Sequence, residues 1–326
     1  MSTYKGISVL VTGAQGFMGS WLVERLLAEG APVLVPRRPV AAESRFARER
    51  LEERCKLVEL DLLELESVLG VLNEGEVGAV FHLAAQTIVS EANRSPVATL
   101  DVNVRGTYNL LEACRLLAGD RPAPRAVIAS SYHVYGQRAD GAYSEDTPMS
   151  PSYPYDVSKA CADYLARSYA ATYGLAVGVT RMANVYGGGD LNWSRIVPDS
   201  ARALVAGRRP VIRSDGTPER DYLYVEDAVD AYLAVARSLD HPVHHGRAWN
   251  VGLGSPVAVL DLVRELIAAA GSDLEPEVQA KTVPRAEIDS EYLDSSAIRE
   301  ELGWAPAWDL PLALCETYRW YEANLV

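Results

Sequence analysis

Tyr155 and Lys159, four residues apart in Tyr155-Asp156-Val157-Ser158-Lys159, are the pair in this chain best suited to moving a proton. On a helix that spacing places both side chains on one face. A phenol ordinarily titrates near ~10, and an ammonium about 6 Å away at an effective dielectric of about 20 favours the phenolate by roughly 3 kcal/mol, or about two pH units. Lys159 is therefore expected to bring Tyr155 into range as a general acid/base near neutrality. Upstream, Ser130-Ser131 closes an apolar run and offers a hydroxyl to the same substrate oxygen.

A second segment suits a dinucleotide. Thr12-Gly13-Ala14-Gln15-Gly16-Phe17-Met18-Gly19 follows the β-branched apolar run Ile7 to Val11 and precedes Trp21 to Ala28, whose helical periodicity ends at Gly30. Spaced glycines alone describe many turns. Between a strand and a helix they allow a tight path, close approach to a pyrophosphate and close helix–strand packing, with the phosphates at the positive end of the helix.

The elements that must position these residues alternate along the first half. Ile7–Val11, Val33–Val35, Leu57–Leu60, Ala79–Leu83, Ala126–Ala129 and Val177–Arg181 read as strands with helices between them, the signature of an α/β fold built on a doubly wound parallel sheet, a Rossmann arrangement. From about Asn184 the texture changes to glycines, scattered prolines and shorter elements, so residues 1–183 are expected to form a dinucleotide-binding domain and 184–326 a smaller substrate lobe. The lobes are expected to interleave: Tyr224 to Arg237 reads as a helix and Trp249–Val251 as a strand, so 223–252 returns to the first domain. No internal repeat or low-complexity tract interrupts this pattern.

At 326 residues and 48% hydrophobic content the chain can bury a large core. A formal charge of −13 disfavours nonspecific nucleic-acid or anionic-membrane binding. No hydrophobic run approaches a membrane span, and Met1 to Lys5 lead into a strand with no signal-peptide core, which reads as cytoplasmic. Cys55, Cys114, Cys161 and Cys315 are isolated, without metal-ligand spacing, and read as free thiols; no metal is expected.

In order, Thr12–Gly19, Asp61-Leu62, His82-Leu83-Ala84-Ala85-Gln86, Asp101-Val102-Asn103-Val104-Arg105-Gly106-Thr107, Ser131, Tyr155/Lys159 and Asn184-Val185-Tyr186-Gly187 resemble the motifs of extended short-chain dehydrogenase/reductases, the NAD-dependent epimerase/dehydratase family acting on nucleotide sugars. The resemblance spans nearly the whole chain. It implies NAD or NADP, tightly bound and recycled, with cofactor contacts from Gly13, Gln15, Gly16, Phe17, Met18 and Gly19 at the turn. Asp61 and Leu62 are implied at the adenine, and Leu83, Ala84, Ala85, Gln86 and Asn103 along the cofactor. Ser131, Tyr155 and Lys159 are implied as the catalytic triad, Lys159 also holding the nicotinamide ribose.

The later segments Gly187-Gly188-Gly189-Asp190-Leu191-Asn192-Trp193-Ser194-Arg195-Ile196-Val197-Pro198 and Val211-Ile212-Arg213-Ser214-Asp215-Gly216-Thr217, followed by Arg220-Asp221-Tyr222, are similar to CDP-glucose 4,6-dehydratase-like enzymes. This likeness implies a nucleoside-diphosphate sugar facing Gln86, Asn184, Asn192, Arg195, Arg213, Arg220 and Arg285. Guanidinium groups suit that task, because they bind phosphate oxygens as a bidentate fork. A homodimer is implied too, formed by the apolar faces of the Tyr155–Tyr173 and Val104–Leu117 helices, with packing inside the monomer as the alternative.

Two departures qualify the likeness. Sugar 4,6-dehydratases follow the catalytic Ser/Thr with an acidic residue and then Glu or Lys, whereas this chain has Tyr132 and His133 there. Elimination of water without a positioned acid forfeits roughly 10²–10⁴ in rate. An imidazole ordinarily titrates near neutral pH, which makes His133 the candidate replacement; a packed, hydrogen-bonded histidine is the alternative. Second, Val33-Leu34-Val35-Pro36 runs into Arg37-Arg38, where NAD enzymes normally place an acidic residue for the ribose 2′-hydroxyl. Arginines in this place accommodate a 2′-phosphate in the related GDP-mannose 4,6-dehydratases, while the CDP-glucose branch carries one nearby and uses NAD, so the residues leave both cofactors open. The resulting expectation is an NDP-hexose 4-epimerase. The alternatives are an atypical dehydratase or a keto-sugar epimerase using His133 and Tyr132, and, remotely, a noncatalytic NAD(P) sensor.

Overall fold

A computed structural model describes residues 4–119, 121–136, 141–281 and 290–325. Arg285 lies outside them. Among the described residues, seven parallel strands make one sheet: β1 Val9–Thr12, β2 Val33–Pro36, β3 Lys56–Val58, β4 Ala79–His82, β5 Arg125–Ser131, β6 Val177–Met182 and a last strand, Ala248–Val251. Their order across the sheet is Ala248–Val251, β6, β5, β4, β1, β2, β3. The run reverses between β1 and β4, and a crevice opens beyond the carboxyl ends of the strands at such a switch point.

The strands are apolar without alternation because both faces are covered. Val9 and Val11 of β1, with Val127 and Ala129 of β5, point into a core shared with Leu22, Val23 and Leu26 of the Phe17–Ala28 helix and with Val229 and Leu233 of the Val225–Ser238 helix. Leu10 and Ile128 point the other way, to Val68, Leu110 and Ala166 on the Leu65–Glu74, Gly106–Leu117 and Pro154–Tyr173 helices. The helix Val225–Ser238 and the strand Ala248–Val251 thus belong to the sheet layer although both follow residue 184.

The remaining chain packs a third core of Tyr186, Val197, Ile212, Tyr222, Leu262, Leu266 and Leu314. Short strands organise it: Asn184–Tyr186 pairs with Tyr222–Tyr224, Glu219–Arg220 lies between Val257–Ala258 and Ser290–Glu291, and Val211–Ile212 pairs with Glu277–Val278. No helix among the described residues is long and apolar enough to cross a membrane.

The long Pro154–Tyr173 helix is fixed by charge as well as by packing. Arg181 of β6 donates to both oxygens of Asp163 on that helix, at 2.8 and 3.0 Å, and both side chains are buried. Removing one partner from a buried ion pair leaves an uncompensated charge. Arg181→Met is therefore expected to cost about 3–5 kcal/mol in urea unfolding. Asp163→Leu in the same chain should recover much of that loss; a single variant with unchanged midpoint would show that the pair does not secure the helix.

Candidate active site

Gly13 follows β1 directly and takes a left-handed conformation, φ +74°. A Cβ there would lie 2.7 Å from Ala84 N and 2.8 Å from Leu83 C, so the ends of β1 and β4 approach as closely as glycine permits. A Cβ on Gly19 would run into Gly13 O, which brings the Phe17–Ala28 helix down onto the turn. Beneath the turn runs a buried polar chain to which no role was assigned from sequence. Thr12 Oγ1 accepts from Ala84 N at 3.2 Å and meets His82 Nδ1 at 2.8 Å, and His82 Nε2 meets Thr107 Oγ1 at 3.1 Å. Burial, then the charge of Lys159, pushes His82 down to about 3, so the imidazole is neutral at pH 7 and acts as a relay of hydrogen bonds. The available signal was a histidine ending an apolar strand immediately before Leu83-Ala84.

Ser131 ends β5, while Tyr155 and Lys159 occupy the first turns of the Pro154–Tyr173 helix, which begins with proline where a missing N–H costs nothing. The Lys159 ammonium donates to Ala129 O at 2.9 Å. Burial pushes Lys159 down to about 8. Tyr155 behaves otherwise than expected. Burial pushes its phenol above the ordinary value, the Arg195 cation and a hydrogen bond with Ser131 pull it back in part, and Asp156 pushes it further up. The Lys159 ammonium is directed to Ala129 O, and the desolvation of the phenol is the larger influence on Tyr155. The depression expected from the four-residue spacing is thus overturned for the protein alone. Ser130 Oγ, buried beside Ser131, has no partner among the described residues.

Tyr132 and His133 open a short helical turn after β5. Tyr132 is buried and donates to Asn184 Oδ1 at 3.3 Å, and burial drives its phenol far up, so it is a poor proton donor. His133 is partly exposed, its Nδ1 3.3 Å from Asp156 Oδ1. Arg220 pairs with Glu291 at 3.3 Å, and Arg195 donates to Asp190 at 2.9 Å. Asn192 Oδ1 accepts from Ser194.

These groups line one cavity of about 1310 Å³ between the glycine turn and the third core. Of the residues anticipated from sequence, Gly13, Gln15, Gly16, Phe17, Met18, Gly19, Arg38, Asp61, Leu62, Leu83, Ala84 and Ala85 line one part of it, and Ser131, Tyr132, His133, Tyr155, Lys159, Asn184, Asn192, Arg195 and Arg220 the other. Four residues do not line it. Arg37 turns away to Glu59 at 2.7 Å, and Arg213 is exposed. Asn103 is buried as a clamp, accepting from Gln86 N at 2.7 Å and donating to Gln86 O and to Ser158 Oγ. Gln86 turns its own Oε1 to Ile88 N. Tyr186, Tyr222 and Tyr232 line the cavity and were not anticipated.

The turn fits a dinucleotide. A Cβ on Gly16 would meet a single neighbour, Gly13 O at 3.2 Å, so its remaining side is open space, and the helix that starts at Phe17 supplies free N–H groups there. A doubly wound sheet with such a turn at its switch point, and Ser, Tyr and Lys at the far side of one cavity, defines a dinucleotide-dependent enzyme of α/β class. Residues 9–252 match the NAD dependent epimerase/dehydratase family, and the chain belongs to it. It is 34% identical to a UDP-glucose 4-epimerase of Mycolicibacterium smegmatis over 96% of this chain and 98% of that protein. Two solved structures are similar at 27% identity. One is a UDP-glucose 4-epimerase of Thermotoga maritima with UDP-glucose, TM-score 0.85, covering 98% of this chain and 100% of that one. The other is a dTDP-glucose 4,6-dehydratase of Streptomyces venezuelae with NAD bound, TM-score 0.81, covering 98% of each chain.

Lys159 binds fewer protons folded than unfolded between its folded value, about 8, and the ordinary 10.5. Its burial therefore costs stability below that window, and the cost is relieved as pH rises through it. Lys159→Met is expected to be more stable than the parent at pH 7, by an amount of order 3 kcal/mol, with the gap closing toward pH 10. Equal melting temperatures throughout would contradict a strained ammonium.

Proposed function

We propose that the protein is a nucleotide-sugar 4-epimerase that oxidises C4 of a nucleoside-diphosphate hexose transiently with a tightly bound NAD. The observation that carries this reading is the pairing of Ser131 with Tyr155 beside Lys159, in a cavity whose lining carboxylates are placed elsewhere among the described residues. Asp61 accepts from Leu63 N at 2.9 Å, and Asp190 is paired with Arg195. Tyr155 takes the proton of the C4 hydroxyl, and Ser131 holds the same oxygen. A dinucleotide held at the glycine turn would supply the hydride chemistry that oxidation and re-reduction of C4 need. Lys159, held at Ala129 O, would hold the nicotinamide ribose, and Gly13, Gly16 and Gly19 would let the pyrophosphate approach the backbone. NAD is favoured by the family, by the NAD in the Streptomyces venezuelae structure, and by Glu59, which engages Arg37 and leaves Arg38 at the cavity.

Asn184, Asn192, Arg195 and Arg220 are assigned to the nucleotide sugar, and residues 184–326 without 223–252 to the lobe that carries it. The named relatives act on UDP- and dTDP-sugars, whereas the CDP assignment rests on the residues around Arg195 and Arg220 alone. Water elimination is disfavoured by Tyr132, whose phenol is buried and committed to Asn184. We read the protein as cytoplasmic and as a homodimer. Tyr108 and Leu116 on one helix, and Tyr164 and Tyr173 on the next, remain exposed and form the apolar face that a second copy would cover. Sedimentation equilibrium should give a dimer that Leu116→Asp converts to monomer.

Incubation with CDP-, UDP-, GDP- and dTDP-hexoses is expected to give one product of unchanged mass with altered ring couplings in proton NMR. Tyr155→Phe should abolish turnover and retain bound cofactor, because the phenol moves a proton and is not a main anchor of the dinucleotide. Efficient loss of water from any of the four would overturn the epimerase reading, and an active Tyr155→Phe would overturn the assignment of the acid/base.

A further inference from the structure

One buried cation takes part in none of the interactions above. Arg45 opens the short helix Arg45–Arg48, directly after segment 38–44, of which Arg38, Val40 and Ser44 line the cavity. Its own side chain is 5% exposed and does not reach the cavity. One guanidinium nitrogen pairs with Glu24, and the guanidinium carbon sits 3.7 Å from the centroid of the Trp21 ring. Nε and Nη1 have no hydrogen-bond partner among the described residues, so the face of Trp21 is what compensates them. A charge buried on these terms is costly, and a planar cation that can stack is the kind that tolerates them. Trp21 and Glu24 both belong to the Phe17–Ala28 helix, which starts at the glycine turn.

What this arrangement holds is the backbone of Gly188-Gly189-Asp190. Gly189 takes φ +90°, and a Cβ on it would lie 2.7 Å from Arg45 Cβ and 3.0 Å from its Cδ, so the aliphatic stem of Arg45 lies directly against the chain. On one side of that contact Trp21 Nε1 donates to Gly188 O at 2.8 Å; on the other, Tyr321 of the Leu310–Leu325 helix donates to Asp190 O at 2.7 Å. Three side chains thus fix three consecutive residues. Asp190 is itself buried, one carboxylate oxygen accepting from Arg195 at 2.9 Å and the other from Asn192 N at 3.0 Å. The direction in which Arg195 enters the cavity therefore follows from where the backbone of Asp190 is held. We propose that Arg45 is a positioning residue for the nucleoside diphosphate: stacked on Trp21, its stem holds Gly189 and, through Asp190, aims Arg195 at the phosphates. This rests on the assignment of Arg195 to the nucleotide sugar above. The guanidinium anchors the stem and makes no contact with the ligand.

The test is a double-mutant cycle on binding, read by calorimetry of CDP, UDP, GDP and dTDP with the NAD-loaded protein. For the nucleotide that the parent binds most tightly, Arg195→Gln is expected to weaken affinity about tenfold or more, the loss of a charge-assisted contact. Arg45→Ala should weaken it about fivefold or more, although Arg45 lies outside the cavity. Placed in the Arg195→Gln protein, Arg45→Ala should cost less than about twofold further, because the group it aims is gone. A role confined to stability would lower the melting temperature and leave the affinity of the folded, NAD-loaded protein unchanged. Trp21→Phe, which keeps an aromatic face and removes the donor to Gly188 O, supplies a milder variant with an expected loss of about threefold. Parental affinity in folded Arg45→Ala or Trp21→Phe, or an Arg45→Ala loss undiminished in the Arg195→Gln background, would overturn the proposal. If none of the four nucleotides binds the parent, or if Arg195→Gln binds them as the parent does, the proposal and the assignment of Arg195 fall together. A protein that shows the non-additivity yet epimerises no hexose leaves this inference standing and sinks the epimerase reading instead.

Discussion

The structure turns on the buried guanidinium of Arg181. Its two bonds to Asp163 fix the Pro154–Tyr173 helix across β6. Its remaining nitrogen donates to the Tyr135 hydroxyl at 2.9 Å and to Glu145 O at 3.2 Å. Tyr135 in turn donates to Asn250 on the last strand of the sheet, and Asn250 donates to Tyr143 O. One cation therefore joins the helix carrying Tyr155 and Lys159 to the turn carrying Tyr132 and His133 and to the edge of the sheet. Such a charge is tolerable in the interior because each of its three nitrogens has a partner, and the geometry it imposes is correspondingly rigid.

A rigid frame matters because several of the site's groups are withdrawn from water. Burial pushes Tyr155 up and Lys159 and His82 down, so each loses part of the charge that proton transfer needs. Groups in such a place act on a ligand more strongly than in water, since the low dielectric magnifies whatever charge the ligand brings. Lys159 held on Ala129 O and Tyr155 held on Ser131 need little reorganisation when that charge arrives. The same economy appears at the glycine turn, where neutral His82 secures Thr12 and Thr107 without adding a charge beneath the turn.

The far wall of the cavity comes from chain that the sheet does not contain. Asp221 receives the N–H groups of Leu253, Gly254 and Leu293, and Asp227 those of Ala307 and Trp308, so two buried carboxylates tie the later segments to the strand and helix that return to the sheet. Arg220, adjacent to Asp221, and Asn184, whose strand pairs with Tyr222–Tyr224, are thereby brought opposite Tyr132. Interleaving of the two parts is the means by which residues widely separated in sequence share one cavity.

Much of this was legible in the chain. The seven strands appear as short apolar runs because a sheet covered on both faces needs no polar positions, and the glycine turn and Tyr155-x-x-x-Lys159 are local in sequence, so spacing alone places them. Other features depend on contacts between distant segments. That Arg37 leaves the cavity for Glu59, that Arg213 stays outside it, and that Asn103 is a clamp on Gln86 and Ser158 follow from pairings no local pattern encodes. The acidity of Tyr155 is the clearest case. Four-residue spacing fixed the neighbour, but the sign of the shift was decided by burial, set against Arg195 and Ser131, and these come together only when β5, the helix and the later segments close around the phenol.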